Sequence, residues 1–214
     1  MPRPTPAQLR ALSRRDPALG RALRRFGPYP EMPAPPARRL STFAYLARAV
    51  TFQQLAGAAA RTIWGRVRTL TPGPGLRPED VLALDDATLR GAGLSRNKVA
   101  ALRSLAEHAV AGRLHGPTLA RLPDDEVLAR LTEVRGIGPW TAQMYLMFKL
   151  GRLDVLPSAD LGVQEGLKRL HRLDERPAPR EVEERTAHWA PLRSVGSWLC
   201  WRVVDSGDDP TDGW

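Results

Sequence analysis

Cysteine occurs once, at Cys200, so the chain can form no intrachain disulfide, no four-cysteine iron–sulfur cluster and no zinc–cysteine site. Its neighbours Trp198, Leu199 and Trp201 suit a buried, unreactive thiol. The histidines His108, His115, His171 and His188 are scattered without ligand spacing, so no metal site and no cofactor is expected. His188, beside Trp189, reads as a helix-surface or core residue. There is no G-x-S-x-G elbow and no phosphate-binding P-loop. Any hydrolysis would then rest on one carboxylate, water and binding energy. No run approaches the roughly eighteen apolar residues that a membrane span requires, and the opening MPRPTPAQLRALSRRD has no apolar core of signal-peptide type. Sustained period-two alternation is absent as well, which argues against a sheet.

Positive charge is in excess: 32 basic against 23 acidic residues, a net +9 and a pI near 10.8. Lys98, Lys149 and Lys168 are the only lysines, leaving 29 arginines. The guanidinium fork suits phosphate, although genomic base composition raises arginine equally well. The charge favours a polyanionic partner. Six tryptophans add ring faces that stack on bases as readily as they fill cores.

The chain reads as all-α. An amphipathic helix is expected near Gln8 to Leu23, followed by a proline-rich, non-helical strap from Gly27 to Pro36. Ser41 to Leu70 forms a helix or helix pair with Ser41 as N-cap and Phe43, Leu46, Ala47, Val50, Leu55 and Ile63 at helical spacing. Gln53 and Gln54 interrupt its apolar face, serving either a core hydrogen-bond network or an exposed probe. Further helices are expected over Glu79–Leu89, Ser95–Ala111, from Asp124, Trp140–Leu150, Ser158–Arg172 with Ser158 as cap, Arg180–Trp189 and Leu192–Val204. Two packed helical lobes with a cleft between them follow. Residues 1–40 and about 170–205 form one lobe, about 41–170 the other, and 206–214 a mobile tail.

Two stretches carry chemistry. Leu131 to Ala142 (LTEVRGIGPWTA) reads as a helix, a tight turn on Gly136-Ile137-Gly138 and a second helix beginning at Pro139. The glycines permit positive φ and close approach, Pro139 suits a first helical position, and Ile137 points back into the seam between the helices. Free N–H groups at a positive helix end suit a phosphate oxygen; the alternative is a plain corner between helices. Asp154 to Asp160 (DVLPSAD) follows, and Asp160 is the candidate carboxylate, or else only a first-turn acid favoured by the helix dipole.

These stretches, with Phe52–Ala60 (FQQLAGAAA), Gly93–Lys98 (GLSRNK) and Trp189–Trp201 (WAPLRSVGSWLCW), resemble the helix-hairpin-helix (HhH-GPD) DNA glycosylases, which carry a Gly/Pro-rich loop and an aspartate. The match is to the DNA-3-methyladenine glycosylase II branch, in a compact form without an N-terminal β-rich lobe. The resemblance implies that Asp160 is catalytic. It implies that Trp140, Met144 and Trp201 line the pocket for an extruded base, Met144 standing where an aromatic is usual. It places Gln54 as the residue wedged into the gap, with Leu55 as the alternative beside Gln53. Arg135, Gly136, Ile137, Gly138 and Thr141 would engage backbone phosphates. Lyase members carry lysine where this chain has Trp140, and an indole forms no Schiff base.

The implied activity is monofunctional release of alkylated purines from double-stranded DNA, leaving an abasic site, without cofactor, membrane or obligate protein partner. A cytoplasmic, nucleoid-associated location would follow. Two other readings remain: a glycosylase for oxidised or mismatched bases, and a non-catalytic DNA-binding module.

Overall fold

The structure is a computed structural model that describes residues 3–32, 35–73 and 75–205, without the side chains of residues 35 and 36. The tail expected to be mobile, 206–214, lies outside the described residues. Every regular element among the described residues is helical. In chain order the first are α1 (Pro6–Arg15), α2 (Pro17–Phe26), α3 (Pro35–Arg39), α4 (Thr42–Phe52) and α5 (Gly57–Thr69). Next come α6 (Pro78–Ala83), α7 (Asp86–Gly91), α8 (Arg96–Val110), α9 (Gly116–Leu119) and α10 (Asp124–Thr132). The last are α11 (Pro139–Phe148), α12 (Leu161–His171), α13 (Pro179–Thr186), a 3₁₀ turn at Ala187–Trp189, and α14 (Arg193–Val204).

Two compact units emerge, one of residues 35–145 and one of the terminal portions up to 34 and from 146. The segment 146–170, grouped from sequence with the hairpin, counts here with the termini because α12 packs on α14 and α2.

In the terminal unit the helix expected over Gln8–Leu23 is two helices. Pro17 has no N–H to continue α1, and Asp16 Oδ1 instead accepts from the N–H groups of Ala18 and Leu19 to cap α2. The carboxylate is buried, and its other oxygen accepts from Trp189 Nε1 at 2.7 Å, His171 Nε2 at 3.0 Å and His188 Nε2 at 3.2 Å. Burial opposes its charge, but the hydrogen bonds from His171, Trp189 and the Leu19 N–H together outweigh that and hold the carboxyl far below its ordinary range. Two histidines that look unrelated in sequence thus share one acid. Around them Leu12, Leu19, Val163, Leu167, Val182, Trp189, Leu199 and Cys200 form the core. Each buried Leu or Val contributes about 1.5–3 kcal/mol relative to exposure. α12 meets α14 at Gly166, where a Cβ would fall 2.3 Å from the Cys200 carbonyl oxygen. A larger residue there would drive the helices apart.

In the hairpin unit α8 is the central strut, packed on α4, α6 and α7 with Leu102 and Leu105 buried. The stretch Ser41–Leu70 is a pair: Ser41 Oγ caps α4 through Ala44 N–H, and the helix ends at Gln53. Gln54 follows in the left-handed region at φ 55°, which breaks the helical path before α5 starts. Lys98 Nζ, 2.7 Å from the Thr51 carbonyl oxygen, satisfies one of the orphan acceptors at the end of α4.

Candidate functional site

Asp160, and not Ser158 as expected, is the N-cap of α12. Its Oδ1 accepts from the Val163 N–H at 2.9 Å. Ser158 Oγ is turned to Glu183, 2.8 Å away. The same Asp160 Oδ1 also accepts from Trp201 Nε1 at 2.8 Å, a contact spanning 41 residues of sequence. Two donors on one oxygen set the rotation of the carboxyl group, which stands at the positive end of α12. Trp201 is itself held, its ring 5.8 Å from that of buried Phe148 at a 33° tilt. Gly162 makes the contact possible: a Cβ there would sit 2.8 Å from Trp201 Cδ1 and 3.1 Å from Asp160 Oδ1.

The loop leading to Asp160 is pinned to the start of α14. Arg193 grips Asp154 with two parallel bonds of 2.8 Å from Nε and a terminal guanidinium nitrogen, and its backbone N–H adds a third at 3.2 Å. These bonds, the side-chain ones foremost, hold the Asp154 carboxyl below its usual value. Buried Ser194 accepts from Val155 N–H at 3.0 Å and donates to the Arg152 carbonyl at 2.8 Å. A bidentate arginine–carboxylate pair is geometrically restrictive, so the carboxylate six residues further on stands on a braced segment.

In the hairpin unit, α10 and α11 flank the turn. Gly136 has φ 80°, and a Cβ there would come 2.8 Å from Ala101 Cβ on α8, so glycine is required twice over. Gly138 does not share the positive φ expected of it; a Cβ at that position would meet nothing within 4 Å, leaving the backbone open to close approach. Ile137 is buried, as its expected place in the seam requires. Arg135 is exposed, and its N–H donates to Ser104 Oγ at 3.2 Å. Pro139 opens α11, and the Ala142 N–H closes the first turn on the Gly138 carbonyl at 3.1 Å.

Gln53 joins the α4–α5 turn to this hairpin. Its Nε2 donates to the Gly136 carbonyl at 3.0 Å and lies 3.5 Å from the hydroxyl of buried Thr141. Gln53 is thus bonded to the hairpin, while Gln54 and Leu55, the latter 39% exposed, are presented to solvent. Trp140 is 47% exposed on the first turn of α11. Met144 is buried, its carbonyl accepting from Tyr45 Oη at 3.3 Å.

The structure thus brings Asp160 together with Trp201, and Gln53 with Gly136 and Thr141. Sequence reasoning missed Phe148, Gly162, Asp154, Arg193 and Ser194. Only Gly162 left a local signal, a glycine in the first turn beside the acid. Among the described residues no group of three or more His, Cys, Asp or Glu is placed to hold a metal ion, and no helix is long and apolar enough to cross a membrane.

A glycine-cornered hairpin in one helical unit and a helix-capping, indole-held carboxylate in the other are the parts of a helix-hairpin-helix protein that also carries a fixed acid. Residues 47–191 match the family model described as HhH-GPD superfamily base excision DNA repair protein. The chain is 36% identical over 165 residues to DNA-3-methyladenine glycosylase 1 of Schizosaccharomyces pombe, covering 76% of this chain and 72% of that protein. Among solved structures, the S. pombe 3-methyladenine DNA glycosylase in complex with abasic DNA superposes with a TM-score of 0.79 at 32% identity, over 92% of this chain and 95% of that one. A DNA-3-methyladenine glycosidase from Bacillus halodurans gives 0.83 at 32% identity, over 95% and 91%. The chain belongs to the HhH-GPD superfamily of base excision DNA repair proteins.

Proposed function

We propose that the chain is a DNA glycosylase that extrudes alkylated purines from duplex DNA and hydrolyses the N-glycosidic bond, leaving an abasic site and an intact strand. The observation that carries this reading is Asp160, a carboxylate fixed by Val163 N–H and Trp201 Nε1 at the start of α12. Alkylation at N3 or N7 makes the purine cationic, so it departs without a general acid. The deoxyribose left behind develops oxocarbenium character, which a nearby fixed carboxylate stabilises while water attacks. A preset carboxylate needs no reorganisation as that charge appears.

Substrate selection follows the same charge. An indole face such as that of Trp201, beside Asp160, favours a cationic base over a neutral one by about 0.5–2 kcal/mol, and weakened pairing of a damaged base lowers the cost of extrusion. Arg135, Gly136, Gly138 and the start of α11 hold strand phosphates, and Gln54 or Leu55 fills the vacated stack. Trp140 carries no amine, which supports base release without strand cleavage.

The test is purified protein with methylated duplex DNA, scored for free 3-methyladenine and 7-methylguanine by chromatography and for strand breaks before and after alkali. Free bases with breaks only after alkali are expected. Tight binding with no released base would replace the enzyme by a binding module.

A further inference from the structure

Positive charge is unevenly spread along the chain. Residues 1–27 hold seven arginines and one acid, Asp16, so +6 of the net +9 belongs to this segment. A general preference for arginine codons would not concentrate it so. The segment also lies outside the matched family region, 47–191.

The fold sets most of these arginines on the packed pair α1 and α2. α1 and α2 pack on each other, with a Cβ on Gly20 falling only 3.0 Å from Ser13 Cβ. Both helices are stitched to the core by Leu12, Leu19 and Ala22. Asp16 does not neutralise the surface, since its oxygens are consumed inward by Trp189, His171, His188 and the start of α2. Some arginines have structural work: Arg3 pairs with Glu31, Arg15 donates to the Ala190 carbonyl at 2.8 Å, and Arg25 lies 5.1 Å over the Phe26 ring. Arg10, Arg14, Arg21 and Arg24 are exposed and, among the described residues, have no carboxylate partner. Arg10, Arg14 and Arg24 rim a shallow groove floored by Ser13 and Gly20. Arg21 lines a neighbouring concavity with Arg15, Arg172, His171, His188 and the buried Asp16 that the two histidines hold.

We propose that the α1–α2 pair is a second duplex-DNA surface that grips backbone phosphates through Arg10, Arg14, Arg21 and Arg24 without reading bases. Four exposed guanidinium groups on two helices packed together offer several phosphate contacts at once, and their forks need no ordering of the polypeptide. The groove offers no aromatic ring, so base stacking has no part in it. The proposal rests on the DNA-repair reading above.

The test measures binding of the full chain to an undamaged 25-bp duplex by fluorescence anisotropy across a salt series. In R10Q/R14Q/R21Q/R24Q the slope of log K against log salt is expected to fall by about 2–4, at roughly 0.9 per lost phosphate contact. Affinity at low salt should drop at least tenfold, and the four-lysine variant should keep most of both. The paired variants R10Q/R14Q and R21Q/R24Q, one per helix, give intermediate slopes and cover any folding defect in the quadruple change. Unchanged slope and affinity in all three glutamine variants, with wild type binding normally, would overturn the proposal and leave the glycosylase reading intact. Failure of the wild type to bind any duplex would defeat that reading itself. Loss of binding to an acidic polypeptide but not to duplex would assign the α1–α2 pair to a protein partner and overturn the proposal.

Discussion

Replacing Asp160 by Asn isolates charge from structure at the site. The amide oxygen of Asn still accepts from Val163 N–H and Trp201 Nε1, the two bonds that the carboxylate Oδ1 now makes at 2.9 and 2.8 Å. Asn and Asp rank alike as N-caps, so stability should change by less than about 1 kcal/mol. What is lost is one negative charge facing a developing positive one. Unit charges about 4 Å apart at an effective dielectric near 20 attract by about 4 kcal/mol, and each 1.4 kcal/mol is roughly tenfold in rate. Base release should therefore fall by roughly 10²–10⁴-fold while affinity for undamaged duplex stays within about threefold. The companion Asp160→Ala also removes the cap and orphans the indole N–H, so it should unfold earlier by about 0.5–2 kcal/mol. Single-turnover release of 7-methylguanine from methylated duplex, with a urea melt of each variant, separates the two effects. An Asp160→Asn enzyme releasing base at the wild-type rate would refute the electrostatic role.

Trp201→Phe keeps the ring against Phe148 but deletes the 2.8 Å donor to Asp160. A charge-assisted hydrogen bond is worth about 1.5–3 kcal/mol, so kcat should fall about ten- to hundredfold with KM little changed; a KM effect alone would mark Trp201 as a binding residue only. Gly166→Ala places a methyl against the Cys200 backbone, 2.3 Å from its carbonyl oxygen. Overpacking of this kind costs about 1–3 kcal/mol or more, expected as a melting temperature lower by about 4–10 °C; an unchanged melt would mean that the two helices separate freely. Asp16 has a folded carboxyl depressed from an ordinary value of 3.8. Its stabilisation is present above that value and is lost as pH falls through it towards the depressed folded one. Urea unfolding should thus show wild type weakening below about pH 4, and Asp16→Asn should be less stable at neutral pH with a shallower acid loss. Identical pH curves for the two would remove Asp16 from the account.

Local chemistry made much of the fold readable in the letters. Helical spacing of apolar residues, Ser41 as a cap, and the proline and glycine punctuation place most helices. The hairpin is legible because Gly136 and Pro139 act through their own backbones, which need no distant partner. Boundaries failed where a side chain had two possible duties. Ser158 looked like a cap but bonds Glu183, leaving the cap to Asp160. A continuous amphipathic pattern hid the break at Asp16, whose carboxylate is worth more as a buried acceptor than as a helical surface residue.

By itself, then, the sequence determined an all-helical chain, a basic surplus, a glycine-cornered hairpin and the identity of one candidate acid, since each depends on residue type and short-range spacing. Tertiary structure alone decided what holds that acid: an indole 41 residues away, room left by Gly162, and a loop braced by Asp154 and Arg193. It also decided that two scattered histidines meet at Asp16. Hydrogen bonds and close packing operate over a few ångströms of space, and only the folded path of the backbone brings residues so far apart in the chain within that reach.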